Sequence, residues 1–261
     1  MNAPAAESVV DAGPFDLGDG PDAALCLHGL TGTPYEVRPL GEALAASGVR
    51  ALGPRLPGHG STARALAATS CGDWLAAARE SLRTLRARHD RVSLVGLSLG
   101  GLLSLALAGE EEVDALVVIG TPLHLHTRLA ALVPALKRVR ESFPKRSGSD
   151  IRNAAARARH PSLAVMPLAS VHELMRLQKR VRAGLGRVTA PILVAHGALD
   201  TTARPDDARE IAGGVASGER ELLWLPCSGH VVPVDHDGPA LSRAVVDFLI
   251  RKRHPLRYGD D

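Results

Sequence analysis

Residues 92–108 read VSLVGLSLGGLLSLALA, and this stretch decides the fold. A short apolar run, Val92–Val95, is followed by Gly96-Leu97-Ser98-Leu99-Gly100-Gly101 and then by Leu99–Ala108, apolar on almost every side. The first piece has the length and composition of a strand covered on both faces, the last that of a buried helix. Between them stands G-x-S-x-G, with the strand before it and the helix after it that the motif requires. A serine on so sharp a turn brings neighbouring backbone close, and glycine at the flanks is what avoids a clash. The turn also sets Ser98 at a helix N-terminus, where the dipole favours developing negative charge. A serine that merely capped the helix would explain Ser98 but not its glycines.

Outward from this stretch, short apolar runs alternate with amphipathic ones, which predicts a mostly parallel α/β sheet flanked by helices. The expected strands are Ala23–His28, Val49–Gly53, Val92–Gly96, Ala115–Ile119, Ile192–His196 and Glu221–Leu225, with an edge strand near Phe15–Leu17. Helices are expected over Tyr35–Ala46 (starting or kinking at Pro39), Trp74–His89, Leu99–Ala108, Arg204–Gly213 and Pro239–Arg251. Residues 122–187 break the rhythm: they hold no convincing strand and read as two or three helices around Pro134, Phe143–Ser149 and His160–Pro167. The expected organisation is therefore a core in two parts, 1–121 and 188–261, with a helical cap insertion, 122–187, over the C-terminal strand edge, where open α/β sheets bind ligands.

The chain has 261 residues, enough for one core and an insertion but hardly for a second domain. Aromatics are only 3%, so Leu, Val and Ala must build the interior. Cys26, Cys71 and Cys227 are odd in number and without metal-ligand spacing, which points away from a disulfide framework and toward a reducing cytoplasm. The first twenty residues lack Lys and Arg and carry no continuous apolar stretch, so no secretory signal is expected. Nor is any integral membrane segment. Charge is uneven: Leu123–Arg187 carries 14 Lys or Arg against Glu141, Asp150 and Glu173. Such a basic cap leaves room for transient contact with an anionic lipid surface, although a solvated Arg-rich face accounts for it equally well. It lacks the interleaved aromatics of a single-strand nucleic-acid surface, and no nucleic-acid partner is expected.

A serine hydroxyl needs a base within hydrogen-bond reach. His230, in Cys227-Ser228-Gly229-His230 after the last expected strand, is the histidine so placed. The base needs a buried carboxylate, and Asp200 ends His196-Gly197-Ala198-Leu199-Asp200 just after the strand before it. Ser98, Asp200, His230 is the chain order that accompanies a nucleophile on such a strand-to-helix turn. Asp206 and Asp207 lie further on, where helix capping explains them. A Gly-rich turn, His28-Gly29-Leu30-Thr31-Gly32-Thr33-Pro34, follows the first strong strand and can aim backbone N–H groups at an oxyanion. The expected donors are the amides of Leu30 and Leu99.

These residues resemble the α/β-hydrolase superfamily, and within it the small bacterial carboxylesterases and monoacylglycerol lipases. The resemblance rests on LHGLTGTP (27–34), LPGHG (56–60), VGLSLGG (95–101), HGALD (196–200) and SGHVV (228–232), which span most of the chain apart from the cap. It implies the α/β-hydrolase fold, Ser98 as nucleophile, Asp200 as acid, His230 as base, and Leu30 and Leu99 as oxyanion donors, in agreement with the residues read singly. His59 is expected to shape a loop beside the site.

The expected activity is hydrolysis of carboxylic esters through an acyl-enzyme on Ser98, falling as pH drops through roughly 6–7. The apolar stripe of the cap (Leu123, Leu125, Leu129, Leu132, Val133, Leu136, Val139) suggests short to medium acyl chains, monoacylglycerols among their esters. Much of that stripe must also join cap to core. His28, Gly29, Leu123, Leu125 and Val231 are the expected substrate contacts. No cofactor is expected, since no G-x-G-x-x-G or Walker loop occurs. No metal is expected either, since His124 and His126 lack acidic or cysteine partners at ligand spacing in the sequence. The partner is a small-molecule ester and the chain is expected as a monomer. A thioesterase, C–C hydrolase or acyltransferase, or a haloperoxidase-like side activity, would use the same triad. A non-catalytic ligand-binding protein would have lost a triad residue, and none is lost.

Overall fold

The structure is a computed structural model that describes residues 10–126, 132–145 and 148–253. Seven strands of the described residues form one sheet: β1 (Phe15–Leu17), β2 (Asp22–Leu27), β3 (Val49–Gly53), β4 (Arg91–Leu97), β5 (Leu116–Ile119), β8 (Ile192–Gly197) and β9 (Arg220–Leu225). Their order is β1-β3-β2-β4-β5-β8-β9. All neighbours are parallel except β1, which runs antiparallel to β3 with Phe15 opposite Gly53. The expected strands are therefore all present, with ends within one residue of their expected positions.

Two apolar layers cover this sheet. On one face lie α3 (Cys71–Arg86), α4 (Leu99–Ala108) and α8 (Pro205–Gly214), with Trp74, Leu82, Leu103 and Ile211 buried in one cluster. On the other lie α1 (Arg38–Ala46) and α9 (Gly238–Arg253), which bring Leu40, Leu44, Val245 and Phe248 against Val95, Val117 and Ala195. All ten residues of α4 are buried, as its unbroken apolar composition requires. Pro39 sits in the first turn of α1, where its missing N–H costs nothing, so it starts the helix after a 3₁₀ turn at Pro34–Glu36. Helix α3 begins three residues before its apolar stripe. Ser70 Oγ accepts from the Asp73 amide at 3.2 Å and Asp73 returns the bond to the Ser70 amide at 2.8 Å, a capping box the stripe alone does not mark. A short α2 (Ala63–Ala67), capped by Thr62, lies in the loop after β3.

The stretch 122–187 is not all helix. Besides α5 (Val133–Leu136), α6 (Ala154–Arg159) and α7 (Leu168–Gly184), it holds β6 (Ser142–Pro144) and β7 (Val165–Pro167), paired antiparallel as a separate ribbon. Three-residue strands that each end in proline, which cannot donate to a ladder, leave no period in the sequence to read. The long α7 is anchored in the core: Leu177 and Val181 belong to the same buried cluster as α3 and α4. Val133, Leu168 and Val171 make a smaller cluster of their own with Leu125, Leu136 and Met166 alongside. Leu132 and Val139 of the expected stripe face solvent at 51% and 82% exposure, and Leu129 lies outside the described residues.

Candidate active site

Strand β4 ends at Leu97 and α4 starts at Leu99, so Ser98 makes the whole turn. Its φ is +54°, one of two positive values among the described non-glycine residues, the other being Thr31 at +66°. A residue held there costs of order 1–3 kcal/mol and persists only where its surroundings enforce it. They do so through the glycines: a Cβ on Gly96 would lie 2.3 Å from the Gly100 carbonyl oxygen, and one on Gly100 would lie 2.0 Å from that of Leu27. The Ser98 amide donates to the Ile119 carbonyl at 2.8 Å, tying the turn to β5.

The loops after β8 and β9 bring the other two expected residues to this turn. His230 Nε2 lies 2.9 Å from Ser98 Oγ, and His230 Nδ1 lies 2.8 Å from Asp200 Oδ2. Asp200 Oδ1 accepts from the amides of Thr202 (2.7 Å) and Ala203 (2.9 Å), so the carboxylate is oriented from both sides. Burial pushes the Asp200 carboxyl up, but the charge and hydrogen bond of His230 outweigh it and hold it below the ordinary value. For His230, burial acts to lower the pKa, yet Asp200 overrides it and the net shift is upward. An ionised Asp200 accepts the proton on Nδ1 and leaves Nε2 as the acceptor for the Ser98 hydroxyl.

Ser98 opens into a cavity of about 270 Å³ at the C-terminal edge of the parallel strands. One part of its wall is apolar, with Leu30, Leu97, Leu125, Met166, Val171 and Leu174; another is polar, with Glu36, Lys145, Ser149 and His160. Of the expected substrate contacts, Gly29, Leu125 and Val231 line this cavity. His28 and Leu123 do not. Leu123 is fully buried in the core cluster. His28 is fully buried beside His59, their ring centroids 4.9 Å apart. Burial pushes its pKa down to about 4, so its Nε2 is free to accept from the Leu56 amide at 3.2 Å while Nδ1–H donates to the Gly29 carbonyl at 3.0 Å. It shapes the turn and does not face the cavity. His59 lies behind it in the expected loop, edge-on to Trp74.

The two expected oxyanion amides have no protein acceptor among the described residues: neither the Leu30 N–H nor the Leu99 N–H donates within the chain. Unpaired amides beside a buried serine are what an oxyanion hole needs.

Other residues of the site carry no sequence signal. The Asp150 carbonyl accepts from the amides of His230 (2.9 Å) and Val231 (3.2 Å), and its Oδ2 accepts from Thr201 N at 2.7 Å. Asp235 accepts from the amides of Gly229, Arg152, Asn153 and His236 at 2.8–2.9 Å. Residues 150–153 are thereby stapled to both catalytic loops. The fold also supplies the acidic partners that His124 and His126 lack in the sequence. His124 Nε2 lies 2.8 Å from Glu210 Oε2, and His126 Nε2 lies 2.9 Å from Asp207 Oδ2. Donor atoms of His124, Asp207 and Glu210 fall within 4.8 Å of one another, the one described group that could hold a metal ion. A larger open depression, about 930 Å³ near Arg86, His89 and Asp114, holds no serine or cysteine and lies toward the opposite ends of the strands.

A mostly parallel sheet bearing a serine on its strand-to-helix turn defines an α/β-hydrolase. The chain belongs to the family described as serine aminopeptidase, S33, whose model matches residues 20–237, and so to the serine hydrolases. It is 32% identical to the thermostable monoacylglycerol lipase of Bacillus sp. (strain H-257), covering 92% of this chain and 95% of that protein. With the carboxylesterase of Bacillus subtilis (strain 168) it shares 27% identity, over 92% and 97% of the two chains. Among solved structures, a chain from a study of the metagenome-derived lipolytic enzymes LipS and LipT superposes with a TM-score of 0.87 at 29% identity, covering 92% of this chain and 98% of that one. The monoacylglycerol lipase of Paleococcus ferrophilus, at 19% identity and a TM-score of 0.79 over 92% and 98%, shares the fold. No helix among the described residues is long and apolar enough to cross a membrane.

Proposed function

We propose that this protein hydrolyses carboxylic esters of short to medium acyl chains, monoacylglycerols among them, through an acyl-enzyme on Ser98. The observation that carries the reading is the unbroken chain Ser98 Oγ, His230 Nε2, His230 Nδ1, Asp200 Oδ2, with contacts of 2.9 and 2.8 Å. Ser98 Oγ attacks the ester carbonyl carbon while its proton passes to His230 Nε2. The carbonyl oxygen takes the negative charge and is held by the Leu30 and Leu99 amides, at the positive end of α4. The tetrahedral intermediate collapses, the C–O bond to the alcohol breaks, and the imidazolium returns its proton to the leaving oxygen. Water, deprotonated by His230, then attacks the acyl-enzyme, and the acid leaves as Ser98 recovers its proton.

The two walls divide the substrate. An acyl chain fits along Leu30, Leu97, Met166 and Leu174, and a small hydroxylated alcohol fits beside Ser149 and His160. At about 270 Å³ the cavity lies just below the ~300–1,000 Å³ usual for ligand sites, which favours short and medium chains over long ones. The relatives named monoacylglycerol lipase and carboxylesterase support this class. The insertion 122–187 acts as the cap in this reading. A panel of p-nitrophenyl esters from acetate to palmitate tests it: kcat/KM should peak between butyrate and octanoate. A steady fall from acetate onward would contradict the acyl-wall assignment.

A further inference from the structure

Glu36 is a buried carboxylate on the cavity wall that the reaction steps above leave unused. It is 3% exposed and closes the 3₁₀ turn that follows the Gly29–Gly32 turn. Its Oε2 accepts from the Gly29 amide at 2.8 Å, and its Oε1 lies 3.0 Å from His160 Nε2. The carboxylate fills the hollow of the turn so closely that a Cβ on Gly32 would lie 2.2 Å from it. From His160 the chain continues across the cavity roof: Nδ1 to Ser149 Oγ at 2.7 Å, Ser149 Oγ to Ser162 Oγ at 3.0 Å, and Lys145 Nζ to Ser162 Oγ at 3.3 Å. Next to it, the Leu163 amide donates to the Thr31 carbonyl at 3.0 Å.

These contacts grip the turn on both sides of one group. Glu36 holds the Gly29 N–H, Leu163 holds the Thr31 carbonyl, and the Gly32 amide closes onto the Gly29 carbonyl at 3.3 Å. The Leu30 N–H between them has no acceptor among the described residues. Thr31, at φ +66°, sits in a region that a threonine keeps only under constraint from its surroundings. Burying a carboxylate costs several kcal/mol, so a turn that needed only filling would be served better by an apolar side chain. A charge-assisted bond to an amide is also shorter and stronger than a neutral one, which suits a group that must fix a peptide plane. Burial raises the Glu36 pKa, but the hydrogen bond and charge of His160 outweigh it and keep the carboxyl below its usual range.

We propose that Glu36 is a positioning residue for the oxyanion turn, aiming the Leu30 amide through Gly29, and that His160 couples this turn to Ser149 and Ser162 above the cavity. The inference rests on the reading of Ser98 and Leu30 given above. It is tested with wild type, Ser98→Ala, Glu36→Ala and Glu36→Gln, each checked for folding by circular dichroism and thermal melting. The readouts are kcat and KM for p-nitrophenyl butyrate and the affinity of an alkylboronic acid, whose tetrahedral Ser98 adduct places an oxygen in the oxyanion site. Losing the aim of one donor should lower kcat by about 10- to 100-fold in Glu36→Ala, somewhat less than removing a donor outright, with KM within about threefold. Boronate affinity should fall in the same proportion. Glu36→Gln, which keeps an acceptor for Gly29 and weakens the contact to His160, should recover to within about threefold of wild type.

A folded Glu36→Ala with wild-type kcat and boronate affinity overturns the proposal. So does a loss confined to KM, which would make Glu36 a substrate contact. If Glu36→Ala does not fold, His160→Gln is read instead: a three- to tenfold fall in both kcat and boronate affinity supports the coupling, and wild-type values in both overturn it. Should Ser98→Ala keep its activity, the underlying reading of Ser98 fails, a result distinct from any of these.

Discussion

The two parts of this molecule that meet at Ser98 are built on different principles. Below the cavity, the strand ends place Ser98, Asp200 and His230 through backbone geometry: glycines that admit no Cβ, a parallel register that sets Leu97 beside Ile119, and amides that grip Asp200. Above it, residues 149–163 are joined to distant parts of the chain by side chains: Asp235 and Glu36 reach in to them, and Asp150 and His160 reach out. The contrast teaches where each property resides. In the proposed reaction the bond-breaking steps fall to the frame, and substrate fit falls largely to the roof, where a changed side chain need not break a strand.

Breaking the frame should therefore cost most. Ser98→Ala should lower kcat by about 10⁶-fold if the triad acts as a unit, measured on p-nitrophenyl butyrate. Asp200→Asn, which keeps the shape but favours the wrong tautomer of His230, should cost about 10⁴-fold. Gly100→Ala presses a Cβ to 2.0 Å from the Leu27 carbonyl, and urea denaturation should register a loss of about 1–3 kcal/mol or more.

Breaking the roof should cost less. Asp235→Ala removes the carboxylate that joins residues 152 and 153 to Gly229, and it should destabilise by about 1.5–3 kcal/mol while lowering kcat about tenfold through a looser His230. Burial raises the Asp235 carboxyl but its four amide donors depress it further, so its stabilising contribution is complete above the unfolded carboxylate pKa and is lost as pH falls through the depressed value.

The smallest effect is the sharpest on the frame itself. His230 must be neutral to accept the Ser98 proton, and Asp200 raises its pKa above the ordinary 6.5 despite burial. The acidic limb of kcat/KM should therefore fall at a pH above that of a free imidazole. A limb at or below the ordinary histidine value would mean that Asp200 does not govern His230.

What could be read in the sequence follows the same division. The strands, and the three residues Ser98, His230 and Asp200 that the fold links by hydrogen bonds, were legible because each lies within a few residues of a local signal: an apolar run, a glycine pair, a strand end followed by a loop. Glu36 and His160 were not, being 124 positions apart, and neither has a motif; only the folded chain gives them to each other. His28 looked like a substrate contact because it adjoins the Gly-rich turn, but burial beside His59 and the Leu56 amide turn it away from the cavity. The β6–β7 ribbon escaped notice because three residues and a terminal proline establish no period. The acidic partners of His124 and His126 were out of reach for the same reason, since they lie more than 80 positions away on α8.

The central claim is that Ser98 is an activated nucleophile, and covalent trapping tests it most directly. The protein would be incubated with a fluorophosphonate at pH 8, digested, and the modified peptide located by mass spectrometry, with Ser98→Ala and His230→Ala alongside. One adduct is expected on the peptide containing Ser98, absent in Ser98→Ala and greatly slowed in His230→Ala. Folded wild-type protein that stays unlabelled, or a label that forms on Ser98 at the same rate without His230, would contradict it.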